Sequence, residues 1–173
     1  MSQWLDSRKV GEQISVEGYF GKLKYLGFGQ FLKRKEKLPI KKHVGLIAAG
    51  SGITKMLTII QASTLANDGL KISLLYVNKT KNDIMCRKEL EGFNLRSRYL
   101  KIHYTLTRHD QATHGPWSGL IGRPTIEMLK ECNFPEPAED VFIAICGPKQ
   151  FNNDLWELLK ADGWDKNYVN LCE

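Results

Sequence analysis

From His43 onward the chain alternates short apolar runs with segments of helical spacing. HVGLIAAG (43–50) reads as a buried strand, and a helix from about Thr54 to Ala66 offers Met56, Leu57, Ile60 and Leu65 to one face. KISLLYVN (71–78) predicts a second strand, with a shorter helix near 83–91 after it. In YLKIHYTL (99–106), Leu100, Ile102, Tyr104 and Leu106 alternate with polar residues, the mark of a strand at a sheet edge. A helix near 123–132 precedes the apolar strand DVFIAICGP (140–148). The last helix, 149–162, places Phe151, Leu155, Leu158 and Leu159 on one side and stops at Gly163; NYVNLC (167–172) is a candidate final strand. Strands separated by crossover helices predict an α/β fold with a doubly wound parallel sheet. Residues 1–42 differ. They are rich in glycine and charge, and Ile14-Ser15-Val16 with glycines at 11, 18, 21, 27 and 29 suggests short strands and turns.

At 173 residues the chain suffices for one domain with a small appendage. Its 42% hydrophobic and 25% charged residues are ordinary for a globular protein, and no apolar run reaches the ~18–20 residues of a membrane span. The N-terminus has no apolar signal core. Cys86, Cys132, Cys146 and Cys172 form no C-x-x-C pair and have no histidine at a zinc-ligand spacing. Free thiols in a reducing, cytoplasmic compartment are therefore expected, with no metal site and with any membrane anchor lying outside this chain. The net charge of +6 is concentrated in KRKEKLPIKK (33–42), which carries six of the 25 basic residues. No aromatic residue interrupts that run and no nucleic-acid motif accompanies it, so nucleic acid is not the expected partner. A solvated basic loop and a docking surface for an acidic protein remain as readings.

Chemistry concentrates at two strand ends. AAGSGITKM (48–56) leaves a strand and opens a helix; Gly50 and Gly52 permit a tight turn, and the helix start suits a pyrophosphate. Thr54 offers a hydroxyl to the phosphates or as a helix cap. The stretch is not G-x-G-x-x-G, and the next strand ends Tyr76-Val77-Asn78 without an acid, so a plain strand-to-helix turn stays open beside a dinucleotide site. CGPKQF (146–151) puts Cys146 at the rim of the fourth apolar strand, where it is either a small buried hydrophobe or part of a ligand crevice. The topology predicts that the two corners converge. The four histidines are scattered, Trp117 either borders a ligand or packs a loop, and Trp156 and Trp164 read as structural.

Taken together these segments resemble the nicotinamide-nucleotide half of NADH–cytochrome b5 reductase, within the ferredoxin–NADP reductase-like flavoenzymes. MSQWL (1–5) resembles the end of the flavin-phosphate motif G-G-K-M-S, and GEQISVEGYFG (11–21) the G-D-x-x-x-x-x-G-P-x-G segment closing the flavin barrel. AAGSGITKM is similar to A-G-G-T-G-I-T-P-M, NKTKNDIMCRKEL (78–90) to N-x-T-x-x-D-I-x-x-R-x-E-L, YTLTR (104–108) to Y-T-L-D-R, and CGPKQF to C-G-P-P-P-M. The resemblance implies residues 1–42 as the end of a flavin barrel and linker, and 43–173 as a ferredoxin reductase-like NAD(P)-binding domain. It implies hydride transfer from NADH or NADPH to FAD, then single electrons to a haem protein such as cytochrome b5. Gly50, Ser51, Gly52 and Thr54 would hold the dinucleotide phosphates. Cys146 would lie beside the nicotinamide as the catalytic-site cysteine, a positioning residue and not a nucleophile, with Gly147 and Pro148 shaping its corner. Met1 and Ser2 would be remnants of the flavin pyrophosphate site, and the 33–42 cluster a surface for acidic cytochrome b5.

Departures from the pattern carry expectations of their own. The upstream barrel with its R-x-Y-S/T residues does not precede Met1, so the chain by itself is expected to bind FAD poorly and to be inactive without an upstream FAD-binding domain. A fragment of a longer enzyme and a natural nucleotide-binding remnant are the two explanations; a stand-alone nucleotide-binding or protein-interaction domain without turnover is the competing function. Lys55 replaces a proline, Ala49 a glycine and Tyr19 a proline, and the chain ends Leu171-Cys172-Glu173 without the aromatic expected near the flavin. Thr107 stands where NADH-selective members carry an acid, and Arg108 beside it is placed to pair with a 2′-phosphate, so NADPH is expected to be accepted alongside NADH.

Overall fold

The computed structural model describes residues 2–18 and 21–172. A five-residue helix α1 (Ser2–Asp6) leads into an exposed stretch without strand structure, so Ile14-Ser15-Val16 does not form the expected strand. Val16 has no neighbouring face to cover it and stays exposed. The short strands come later: β1 (Leu23–Gly27), β2 (Gln30–Lys33) and β3 (Glu36–Lys37) form a small antiparallel sheet. Its first turn needs left-handed backbone at Gly27, Phe28 and Gly29, and a Cβ on Gly29 would meet the Lys41 carbonyl oxygen at 2.0 Å.

The main sheet then begins with β4 (His43–Ala49), followed by α2 (Ile53–Ala66), β5 (Lys71–Asn78), α3 (Arg87–Arg96) and β6 (Leu100–Leu106). After α4 (Gln111–His114) and the two-residue β7 (Leu120–Ile121) come α5 (Ile126–Glu131), β8 (Val141–Cys146), α6 (Lys149–Ala161) and β9 (Val169–Cys172). The strand order is β7-β6-β5-β4-β8-β9 with every pair parallel. The chain winds outward from β4 to β7, then returns across β4 to lay down β8 and β9. The winding therefore reverses between β4 and β8, and such a reversal opens a crevice at the carboxyl ends of those strands.

Period-two alternation sends each central strand into two cores. Val44, Leu46 and Ala48 join Leu74 and Tyr76 under α2 and α3, while Ile47, Leu75 and Val77 join Ile143 and Ile145 under α5 and α6. Each fully buried Leu or Ile among them contributes about 1.5–3 kcal/mol. The inner face of α2 is Ile53, Met56, Ile59 and Ile60; Leu65, expected on it, is 69% exposed. The helix expected from 83 starts at Arg87, because residues 81–83 form a separate 3-10 turn and Cys86 is left-handed. That expected from 123 starts at Ile126, after Pro124, with the Thr125 hydroxyl accepting from the Met128 amide at 3.1 Å. β6 is second from the margin: β7 pairs with Thr105 and Leu106.

A carboxylate fastens the antiparallel sheet to the main one. Asp68, in the loop between α2 and β5, accepts hydrogen bonds from the Tyr25 hydroxyl, the Phe28 amide (3.0 Å), the Ser63 hydroxyl (2.7 Å) and the Leu70 amide (3.1 Å). Burial pushes its carboxyl up, but these four donors outweigh that and hold it below the usual value. The basic run is not the fully solvated loop expected. Lys41 is 4% exposed and donates to the Glu139 carbonyl, with its ammonium 5.2 Å from the Tyr168 ring centroid. Lys33 turns inward to the Lys166 and Val169 carbonyls at 3.4 and 3.2 Å. Arg34, Lys35, Lys37 and Lys42 remain outside, Lys42 paired with Asp140 at 3.1 Å. Among the described residues no helix is long and apolar enough to cross a membrane.

Candidate functional site

The glycine turn and the Cys-Gly-Pro corner touch. Ala48 pairs with Cys146 across β4 and β8, so both chains leave the sheet at the same level. Beyond it, Gly50 adopts φ +52° and a 3-10 turn over Gly50–Gly52 feeds directly into α2. A Cβ on Gly52 would lie 2.0 Å from the Cys146 carbonyl oxygen, and one on Gly147 would strike the Phe151 ring at 2.6 Å. Only glycine permits this approach. Ala49 is extended (φ −125°), so alanine there needs no glycine freedom. The turn is fixed from below by the Tyr76 hydroxyl, which donates to the Gly50 carbonyl at 3.0 Å. Thr54 is not the cap: its hydroxyl donates to the Ser51 carbonyl at 3.0 Å, and the N-cap residue of α2 is Gly52, which offers no side-chain cap.

Above the sheet runs a cleft of about 1790 Å³. Gly50, Ser51, Gly52 and Thr54 line its middle, Cys146, Gly147 and Pro148 one end, and Thr107 and Arg108 the other. The structure thus brings together every site residue expected from the sequence except two. Met1 and the Ser2 side chain lie outside the described residues. A smaller cavity of about 530 Å³ at the amino edge of the sheet, beside Phe28, Lys41 and Asp68, holds none of the motif residues.

Other lining residues carried little signal in the sequence. Asn78 ends β5, is 5% exposed, and has no hydrogen-bond partner on either amide atom. Its carbonyl accepts from the Thr107 amide (2.9 Å) and hydroxyl (3.3 Å), so Thr107 is tied to the sheet end. Asn152, 6% exposed, donates to the Cys172 carbonyl at 3.1 Å while its Oδ1 has no partner. Arg123 joins Arg108 in the cleft wall and bridges Asp154 at 3.7 Å. An amide closing an otherwise apolar strand was the one readable hint, at Asn78. Trp117 is a packing residue: its indole N–H donates to the Leu120 carbonyl at 2.9 Å and its ring stands 5.8 Å from the Arg87 guanidinium.

Electrostatics set Cys146 apart from the other buried thiols. A hydrogen bond from Cys172, opposed by burial and assisted by the Lys55 ammonium, brings it down to about 7. Cys172 is correspondingly pushed up, by that same bond and by burial. Burial pushes Cys132 up to about 11.

Residues 46–156 match the profile of the oxidoreductase NAD-binding domain. The chain belongs to that family. As an oxidoreductase NAD-binding domain it is 41% identical over 155 residues to NADH-cytochrome b5 reductase 2 of Xenopus laevis, covering 86% of this chain and 51% of that protein. It is 38% identical over 159 residues to human NADH-cytochrome b5 reductase 1, covering 86% and 49%. The chain thus spans about half the length of these relatives. The crystal structure of the cytochrome b5 reductase domain of Ulva prolifera nitrate reductase superposes with a TM-score of 0.88 and 27% identity, over 98% of this chain and 64% of that one.

Proposed function

We propose that this chain is the NAD(P)H-binding half of a cytochrome b5 reductase-like flavoenzyme, with residues 1–42 belonging to the end of the flavin-binding part and its linker. The observation that carries the reading is the contact of Gly52 with the Cys146 carbonyl across the winding reversal. It joins two motif corners into one crevice long enough for a dinucleotide. The residues fit that ligand: Gly50–Gly52 leave an open cradle at the start of the 14-residue α2, whose amide end favours phosphate. Lys55, one turn in, adds positive charge on the same wall. Cys146 marks the nicotinamide end, and Gly147 and Pro148 leave room for the ring. Thr107 and Arg108 mark the adenosine end.

Cys146, Gly147 and Pro148 would hold a reduced nicotinamide, which would supply a hydride for FAD and so single electrons for a haem protein. The chain's own task is to orient the nicotinamide face and keep water from it. The cleft lined by Gly50–Gly52, Thr107, Arg108 and Cys146 frames the dinucleotide. The chain alone is expected to bind NAD(P)H without reducing an acceptor. Exposed Arg34, Lys35, Lys37 and Lys42 form the surface offered to an acidic haem protein such as cytochrome b5, on a protein working at the cytoplasmic side.

Calorimetric titration of the chain with NADH and with ADP-ribose tests the reading. Saturable binding is expected, at least tenfold weaker in Gly52→Ala, where the new Cβ meets Cys146 backbone. No binding by the native chain, or unchanged binding by a folded Gly52→Ala, overturns it.

A further inference from the structure

Cys146 and Cys172 are not merely two cysteines at one end of the cleft. They are directly opposite each other on neighbouring parallel strands, β8 and β9. Paired strands lie ~4.8 Å apart, within the ~4.4–6.8 Å Cα separation that disulfides span. Side chains at paired positions share a face of the sheet, and both line the same cleft wall. Both cysteines are free of a disulfide in this structure. The second sulfur is held in place: the Asn170 amide donates to Cys172 Sγ at 3.3 Å, and Asn152 holds the Cys172 carbonyl at 3.1 Å. Lys55 lies on the same cleft wall and favours negative charge on Cys146.

We propose that Cys146 and Cys172 form a peroxide-oxidisable dithiol whose disulfide closes the nicotinamide end of the cleft. The Cys146 thiolate attacks one oxygen of a hydroperoxide such as hydrogen peroxide. The O–O bond breaks, hydroxide leaves and is protonated to water, and Cys146 becomes a sulfenic acid. The Cys172 sulfur then attacks the Cys146 sulfur. The S–S bond forms, the S–O bond breaks, and the oxygen leaves as a second water with the proton of Cys172. The two thiols have lost two electrons and two protons in all, and one hydrogen peroxide has become two waters. A thiol reductant reverses the step by exchange through a mixed disulfide. Cys172 is the resolving partner because it stands directly opposite Cys146 across β8 and β9, with its sulfur held by the Asn170 amide. Cys86 and Cys132 take no part: neither lines the cleft, and burial keeps Cys132 protonated. The bond would pin β9 to β8 at the corner where Gly52 already presses on the Cys146 carbonyl, leaving that corner unable to adjust around a bound ring.

The test is made on the reduced native chain with hydrogen peroxide at low molar excess, followed by alkylation and peptide mass mapping. The expected product is one linked pair of peptides containing Cys146 and Cys172, lighter by two hydrogen atoms and restored by dithiothreitol. Phenylarsine oxide, which bridges adjacent thiols, is expected to block both residues at one equivalent. In Cys172→Ser the sulfenic acid persists, and dimedone labels Cys146 at least tenfold more than in the native chain. Over-oxidation of Cys146 without linkage, or linkage through Cys86 or Cys132, overturns the proposal, and neither observation requires a variant to fold. Closure of the cleft rests on the functional reading above and has its own readout. NADH affinity is expected to fall at least tenfold on oxidation and to return on reduction. A linked chain that binds NADH as tightly as the reduced one overturns closure alone. A reduced chain that binds no dinucleotide sinks the functional reading while leaving the dithiol chemistry intact.

Discussion

Cys146 and Cys132 are both buried, yet their surroundings pull them in opposite directions. At about 7, Cys146 gains thiolate as pH rises through neutrality, while Cys132 at about 11 stays a thiol. Iodoacetamide labelling of Cys146 should therefore rise between about pH 6 and pH 8 and then level off, with Cys132 unlabelled throughout. Equal labelling of the two at pH 7 would contradict this assignment. At the far end of the cleft, Thr107 presents no charge to repel a 2′-phosphate, and Arg108 stands exposed beside it. The native chain should favour adenosine over its 2′-phosphorylated form by less than tenfold, about 1.4 kcal/mol. Thr107→Asp should move the preference at least tenfold toward the unphosphorylated form, read by competition binding. The glycines and Cys146 were legible because tight turns and strand ends demand particular residue types locally. Asn78 gave only a hint, since any strand can end in an amide, and Arg123 gave none, since any loop can carry an arginine. What distinguishes them is the company the fold gives them.

Strands were easier to read than helix starts. β4, β5 and β8 announce themselves as continuous apolar runs because a central parallel strand is covered on both faces. α3 begins later than its composition suggests because a capped 3-10 turn, Thr80 to Asp83, takes the first acid for itself. The Asp68 anchor was invisible, as its partner Tyr25 lies 43 positions away. That anchor has a pH signature. Its folded carboxyl sits below the ordinary ~3.9, so its contribution to stability is fully present above that value and is lost as pH falls through the folded one. Asp68→Asn should cost about 1–3 kcal/mol in urea unfolding at pH 7. The gap from the native chain should narrow below about pH 4; a constant gap would mean the carboxylate charge is irrelevant.

Over the whole molecule, the net charge of +6 is less available than the sequence suggests, because Lys33 and Lys41 are folded inward. Association with an acidic haem protein should depend on the exterior cations. Arg34→Glu with Lys35→Glu should slow association at least fivefold at low salt, measured by stopped flow. Lys41→Gln should instead lower the unfolding temperature and leave association unchanged. An equal effect of both changes on association would erase the distinction between surface and strut.

The winding reversal also dictates when the crevice can exist. Its two walls, the ends of β4 and β8, come from positions about a hundred residues apart. During synthesis the glycine turn emerges about a hundred residues ahead of the corner that faces it, and waits with nothing opposite. Closing so long a loop is slow, and local contacts formed beforehand do not prefigure it. The cleft is therefore an all-or-none property of the finished chain: a nascent polypeptide stopped before Val141 should hold no nucleotide, however well its earlier strands have paired.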